Sequence, residues 1–304
     1  MGRLVARASA IAVVATLLVA PMVLGATTKP IYGSKADDAK VRETLVWIAS
    51  GSHQVPGIFA VPKAGGSAAK HPAVLLLHGF ASQKDEVGNM YKNLARGLAE
   101  HGIASLRIDF AGSGQSKQTF LDLTYPGMVA DARAALEWLL KRPTIDKSHV
   151  GVQGFSLGST VAATLAGTDS RIRGFASWSG AIINGGPFWP PEDLTKCQAN
   201  GGHLLLDLGF TKVDLSCAFF TTMAAETSLT DLAPYKNPLL LIAGSVDTTV
   251  DPMTSRKVVP AVQSLDVTLR IIPGADHIYL VLDKDQTLAN RCISITVAWW
   301  VQKL

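Results

Sequence analysis

From residue 44 onward, short apolar runs alternate with longer stretches in which apolar residues recur at helical spacing. Residues 44–48 and 54–61 read as an opening antiparallel strand pair, and 63–71 as a surface loop rich in small residues. Ala73-Val74-Leu75-Leu76-Leu77 is a continuous apolar strand of the kind covered on both faces. The same reading predicts strands over 103–108, 149–153, 174–179, 238–243 and 267–272, and helices over 89–100, 125–141, 159–166 and 286–301. Strands alternating with helices of about a dozen residues imply right-handed crossovers, hence an α/β fold with a mostly parallel central sheet flanked by helices. Such sheets carry their sites at the carboxyl ends of the strands.

One stretch breaks the rhythm. Residues 184–233 are far longer than an ordinary connection between strands. Their apolar residues, Phe188, Trp189, Leu204, Leu205, Leu206, Phe219, Phe220 and Met223, predict a cap insertion over the strand ends, the alternative being a peripheral insertion with its own small core. Trp189, Phe219, Phe220 and Met223 are the candidates for lining a substrate pocket. The first 26 residues read as a signal peptide: Arg3 and Arg7 precede an apolar run, Pro21 interrupts it, and Gly25-Ala26 offers small residues for cleavage. An uncleaved anchor is the rival, because the run approaches the ~20 residues needed to span a bilayer. Either reading puts residues 27–304, a single domain with its insertion, outside the cytoplasm as a secreted or periplasmic protein, with a membrane as partner only if the segment stays uncleaved.

Composition narrows the field. The chain of 304 residues is 48% hydrophobic and 17% charged, too apolar for a disordered protein. Its net charge of +4 is spread without basic runs, which argues against nucleic acid as a partner. No cysteine or histidine spacing of metal-ligand type occurs, so neither a metal nor a cofactor is expected. Cys197 and Cys217 could form a disulfide in an oxidising compartment, leaving Cys292 as a buried thiol; three unpaired thiols are the alternative.

Gly154-Phe155-Ser156-Leu157-Gly158 is a G-x-S-x-G pattern set between a predicted strand and a predicted helix. A sharp strand-to-helix turn leaves no room for side chains at the two glycines and exposes the serine hydroxyl, which makes Ser156 the candidate nucleophile. A serine needs a base and the base an orienting acid. Of seven histidines, His53, His71, His101 and His149 read as surface residues, and nothing fixes His203. His277 follows the last strand in Pro273-Gly274-Ala275-Asp276-His277 and is the candidate base. Asp247 follows the preceding strand and is the candidate acid, with Asp251 expected to start the next helix and Asp276 too near the base to serve. His78-Gly79-Phe80 follows the strand ending at Leu77, so the backbone amides of Phe80 and Leu157 are the candidate oxyanion hole and His78 a brace for the loop. Asp109-Phe110-Ala111-Gly112-Ser113-Gly114-Gln115-Ser116 lacks the features of a phosphate loop and reads as a structural turn beside the site.

These motifs together, from about residue 44 to 304, resemble the α/β-hydrolase superfamily of serine esterases, in particular bacterial feruloyl (cinnamoyl) esterases. The resemblance implies hydrolysis of a small-molecule or polymer-attached ester through an acyl-enzyme, with the chain order Ser156, Asp247, His277. Similar motifs occur in monoacylglycerol lipases, other carboxylesterases and prolyl oligopeptidase-like hydrolases. A lipase or polyester hydrolase is therefore the alternative, with a peptidase or a catalytically silent binding module further behind.

Overall fold

The computed structural model describes residues 39–64, 69–185 and 189–304. The signal-like N-terminal run and Phe188 lie outside them. Strands β1 (Val41–Ser50) and β2 (His53–Pro62) form an antiparallel hairpin, and β3 (His71–Leu77), β4 (Ala104–Ile108), β5 (Ile145–Phe155) and β6 (Ile172–Trp178) follow. β7 (His203–Asp207) and β8 (Lys212–Ser216) pair only with each other, while β9 (Leu239–Gly244) and β10 (Val267–Ile272) rejoin the main sheet. The sheet order is β1-β2-β4-β3-β5-β6-β9-β10, antiparallel at β1, β2 and β4 and parallel from β4 to β10.

The alternation of side chains along a strand decides which helix covers what. Leu75, Leu77, Leu239 and Leu241 face α2 (Tyr125–Leu140) and α3 (Leu157–Thr168), whereas Val74, Leu76, Leu240 and Ile242 face α1 (Met90–Glu100) and α8 (Thr287–Lys303). That is why β3 and β9 read as unbroken apolar runs. Leu75, Leu76 and Leu77 are fully buried, and each contributes about 2 kcal/mol of hydrophobic stabilisation. The remaining helices are α4 (Pro191–Ala199), α5 (Cys217–Ala224), α6 (Ser228–Leu232) and α7 (Met253–Ala261). Among the described residues no helix is long and apolar enough to cross a membrane.

β5 starts at Ile145, four residues before the predicted strand, because Ile145 already lies beside His71; the polar residues 146–149 then bulge out, and pairing resumes with Val150 beside Ala73. His71 is accordingly buried rather than on the surface, with its ring Nδ1 2.9 Å from the Gly102 carbonyl. His53 is likewise tied down, its Nε2 2.8 Å from the buried Asp131. Cys197 and Cys217 form a disulfide that joins α4 to the start of α5, and Cys292 is a buried free thiol.

Candidate active site

Ser156 sits between β5 and α3 with φ 49° and ψ −119°, a conformation that costs an L-residue on the order of 1–3 kcal/mol. The turn is so tight that a Cβ on Gly154 would come within 2.3 Å of the Gly158 carbonyl, and one on Gly158 within 2.1 Å of the Leu77 carbonyl. Glycine is required at both positions by this approach of backbones. The Ser156 amide donates to the Trp178 carbonyl at 2.9 Å, pinning the turn to the end of β6.

His277 and Asp247 meet across two loops. The imidazole Nδ1 donates to Asp247 Oδ2 at 2.8 Å, and Asp247 Oδ1 accepts the amides of Thr249 and Val250 at 2.9 Å each. The two loops are bound backbone to backbone: Val246 donates to the Ala275 carbonyl at 3.0 Å, and a Cβ on Gly244 would reach within 2.3 Å of that same oxygen. Ser179, at φ 43°, has its hydroxyl 2.9 Å from the His277 carbonyl and 3.0 Å from the Tyr279 hydroxyl, which in turn donates to the Ile242 carbonyl. Burial holds the Tyr279 phenol well above its usual range, so it stays a neutral donor. The other acids have separate tasks. Asp276 accepts the amides of Ile278 and Leu280, and Asp251 accepts the Met253 amide at the start of α7.

The loop after β3 is held from both sides. The Phe110 amide donates to His78 Nε2 at 3.0 Å, so the ring proton resides on Nδ1, which donates to the Gly79 carbonyl at 2.7 Å. Burial lowers the His78 pKa and keeps the ring neutral, as that tautomer requires. In a trans peptide the N–H points opposite to the C=O, so the pull on the Gly79 carbonyl turns the Phe80 amide the other way. The Gly79 amide donates to Glu86 Oε1 at 2.5 Å, and Glu86 Oε2 accepts from Ser82 Oγ and the Val87 amide. Next to it the buried pair Lys84–Asp109, 2.6 Å apart, ties this loop to the turn after β4. Glu86, Lys84 and Ser179 carry no motif; only their packing in the folded chain reveals them.

A cavity of about 1020 Å³ gathers these parts, at the upper end of the range for ligand pockets. Ser156 and His277 both line it, as do Phe80 and Leu157, whose amides have no acceptor among the described residues. No hydrogen bond joins the Ser156 hydroxyl to His277, though both line the same cavity. Trp189 and Met223 line the cavity, but Phe219 and Phe220 do not: they pack behind it, with Phe219 4.9 Å from the Trp189 ring and 5.6 Å from Phe80. Gly112, Ser113 and Gly114 of the turn after β4 form part of the wall.

Residues 72–204 match the family model of the alpha/beta hydrolase fold. An uncharacterized 31.7 kDa protein of the traX-finO intergenic region of Escherichia coli is 28% identical over 104 residues, which is 34% of this chain and 35% of that protein. The match thus spans about a third of the length of this curated relative. Among solved structures, Est1E from Butyrivibrio proteoclasticus with ferulic acid bound has a TM-score of 0.69 at 20% identity, covering 85% of this chain and 100% of that one. The monoacylglycerol lipase of Paleococcus ferrophilus has a TM-score of 0.62 at 20% identity, covering 78% of this chain and 97% of that one. At these identities the likeness carries the fold.

Proposed function

From its α/β-hydrolase fold we propose that the chain is a serine carboxylesterase working through an acyl-enzyme on Ser156. The observation that carries this reading is one cavity shared by a serine on a strained strand-helix turn, an imidazole bonded to a buried carboxylate, and two amides without acceptors. In the first step His277 Nε2 takes the Ser156 proton as Oγ attacks the ester carbonyl, and the amides of Phe80 and Leu157 hold the oxyanion. The imidazolium then returns that proton to the departing alcohol. Water, deprotonated by the same imidazole, splits the acyl-enzyme and frees the acid. Asp247 fixes the tautomer with Nε2 free and stabilises the charged ring in between.

Phe80, Phe120 and Trp189 on the cavity wall suit an aryl (feruloyl-type) or short-chain acyl group. The Cys197–Cys217 disulfide and the signal-like N-terminus support a secreted or periplasmic setting. A second reading, lipase or polyester hydrolase, is favoured by Phe210 and Leu282, which line the cavity and are 76% and 69% exposed. A chain-length series separates the two, since the second reading requires preference for long acyl chains over aryl esters. Labelling by a fluorophosphonate probe, with turnover of p-nitrophenyl butyrate, tests the chemistry itself. Both are expected in the wild type and lost in Ser156→Ala by on the order of a thousandfold or more at unchanged melting temperature. Equal labelling of the two proteins would remove the assignment.

A further inference from the structure

Of the aromatic side chains that line the cavity among the described residues, Phe155 meets His277: their ring centroids lie 5.2 Å apart, with the planes inclined at 51°. Phe80, Phe120 and Trp189 pack against one another instead. Phe155 is the last residue of β5, paired with Trp178 in the ladder, and it immediately precedes the strained Ser156. Its side chain is buried, and a Cβ on Gly79 would come within 2.9 Å of its Cδ1. The ring is thus wedged between the loop after β3 and the base, and the lack of a side chain at position 79 gives it that room.

The reaction proposed above turns His277 from a neutral ring into a cation and back. Asp247 meets that charge at Nδ1. The other carboxylates of the cavity wall are engaged elsewhere: Glu86 with Ser82 and the Gly79 and Val87 amides, Asp276 with the amides of Ile278 and Leu280, and Glu226 with the Ser228 amide. A benzene ring carries negative charge on its face, and a cation within about 6 Å of its centre is attracted to it, the more so where water is excluded. Phe155 stands at that range before the charge appears, so no reorganisation is needed when the proton moves.

Building on the esterase reading, we infer that Phe155 is a positioning residue whose ring face steadies the His277 imidazolium as Ser156 gives up its proton. Because the charge exists only once that transfer is under way, the interaction favours the transition state over the bound ester. Its loss therefore falls on kcat rather than on KM. A ring that merely fills space between the loop and the base has no such dependence on its own charge distribution, and that difference separates the two roles.

The test replaces Phe155 by phenylalanines carrying one, two and three ring fluorines, introduced by amber suppression, since fluorine drains negative charge from the ring face and barely alters its shape. Turnover of p-nitrophenyl butyrate and the second-order rate of fluorophosphonate labelling are measured for each, with melting temperature as the check on folding. Both rates are expected to fall stepwise along the series, by about tenfold at three fluorines, while KM stays within about twofold of the wild type. Phe155→Leu, which removes the ring face and keeps an apolar side chain, is expected at or below the trifluorinated value; if it does not fold, the fluorinated series decides alone. Level or rising rates across the series in folded, active protein overturn the inference and leave the esterase reading standing. Absence of both turnover and labelling in the wild type overturns the esterase reading, and the inference falls with it.

Discussion

The Gly79 amide donates to Glu86 Oε1 at 2.5 Å, a bond that fixes the peptide just before Phe80, itself a cavity-lining residue. Combined with the pull of His78 on the Gly79 carbonyl, it sets the direction of the Phe80 amide, which on the proposed esterase reading donates only once charge develops on the substrate. Glu86→Ala is therefore expected to lower kcat on p-nitrophenyl butyrate by about a hundredfold while KM moves little. A loss confined to KM would assign Glu86 to substrate binding instead.

Asp247 supports His277 through one oxygen and is itself held by two amides through the other. Asp247→Asn preserves the shape but offers the imidazole an N–H where it needs an acceptor, which favours the wrong tautomer. The expected result is a fall in kcat of about ten-thousandfold with little change in melting temperature, measured by steady-state kinetics and calorimetry.

His78 makes stability depend on pH with a definite sign. Burial lowers its pKa in the folded protein, so between that lowered value and about 6.5 the unfolded chain binds a proton that the folded chain does not. Stability is then fully present above about pH 6.5 and falls on acidification, at about 1.4 kcal/mol per pH unit, until the folded ring also protonates. Asp131 acts in the opposite sense at lower pH, since burial raises its carboxyl. The readout is thus the difference between wild type and His78→Asn in unfolding free energy from pH 7.5 to 5.5, and the variant is expected to show the shallower decline.

The Cys197–Cys217 disulfide closes a loop with a sequence separation of 20 around the β7–β8 hairpin. The double variant Cys197→Ser/Cys217→Ser is expected to lose about 3 kcal/mol of stability, measured by denaturant unfolding. Because the linked segments flank Trp189 and Met223 of the cavity wall, KM for aryl esters should rise more than kcat falls.

The strands and helices that carry the site were legible because each is apolar for a plain reason. Residues of β3 and β9 are buried on both faces, and the glycines at 154 and 158 are demanded by the approach of β5 to α3. Ser156, Asp247 and His277 were legible as candidates because each follows a predicted strand, and the structure brings the last two into contact. What the sequence hid are residues whose role depends on distant partners. Glu86 reaches back seven positions to Gly79, Ser179 reaches His277 across 98 positions, and neither leaves a periodic trace. Phe219 and Phe220 were indistinguishable by composition from true wall residues such as Trp189, because the same apolar character serves the layer behind the wall as well as the wall itself.

Where the chain leaves the sheet after β6 and returns at β9, the two strands lie directly side by side, with Phe175 beside Leu239 and Trp178 beside Ile242. The intervening excursion therefore interrupts no ladder, and a replacement confined to residues after Ala181 would spare the Ser156–Trp178, Asp247–His277 and Ser179–His277 bonds. Part of the cavity wall, Trp189 and Met223 among it, can thus be exchanged at two junctions while the rest, Phe80 and Phe120 included, stays with the sheet, which gives lineages, or an engineer grafting a foreign excursion, a way to reshape the cavity without rebuilding the fold.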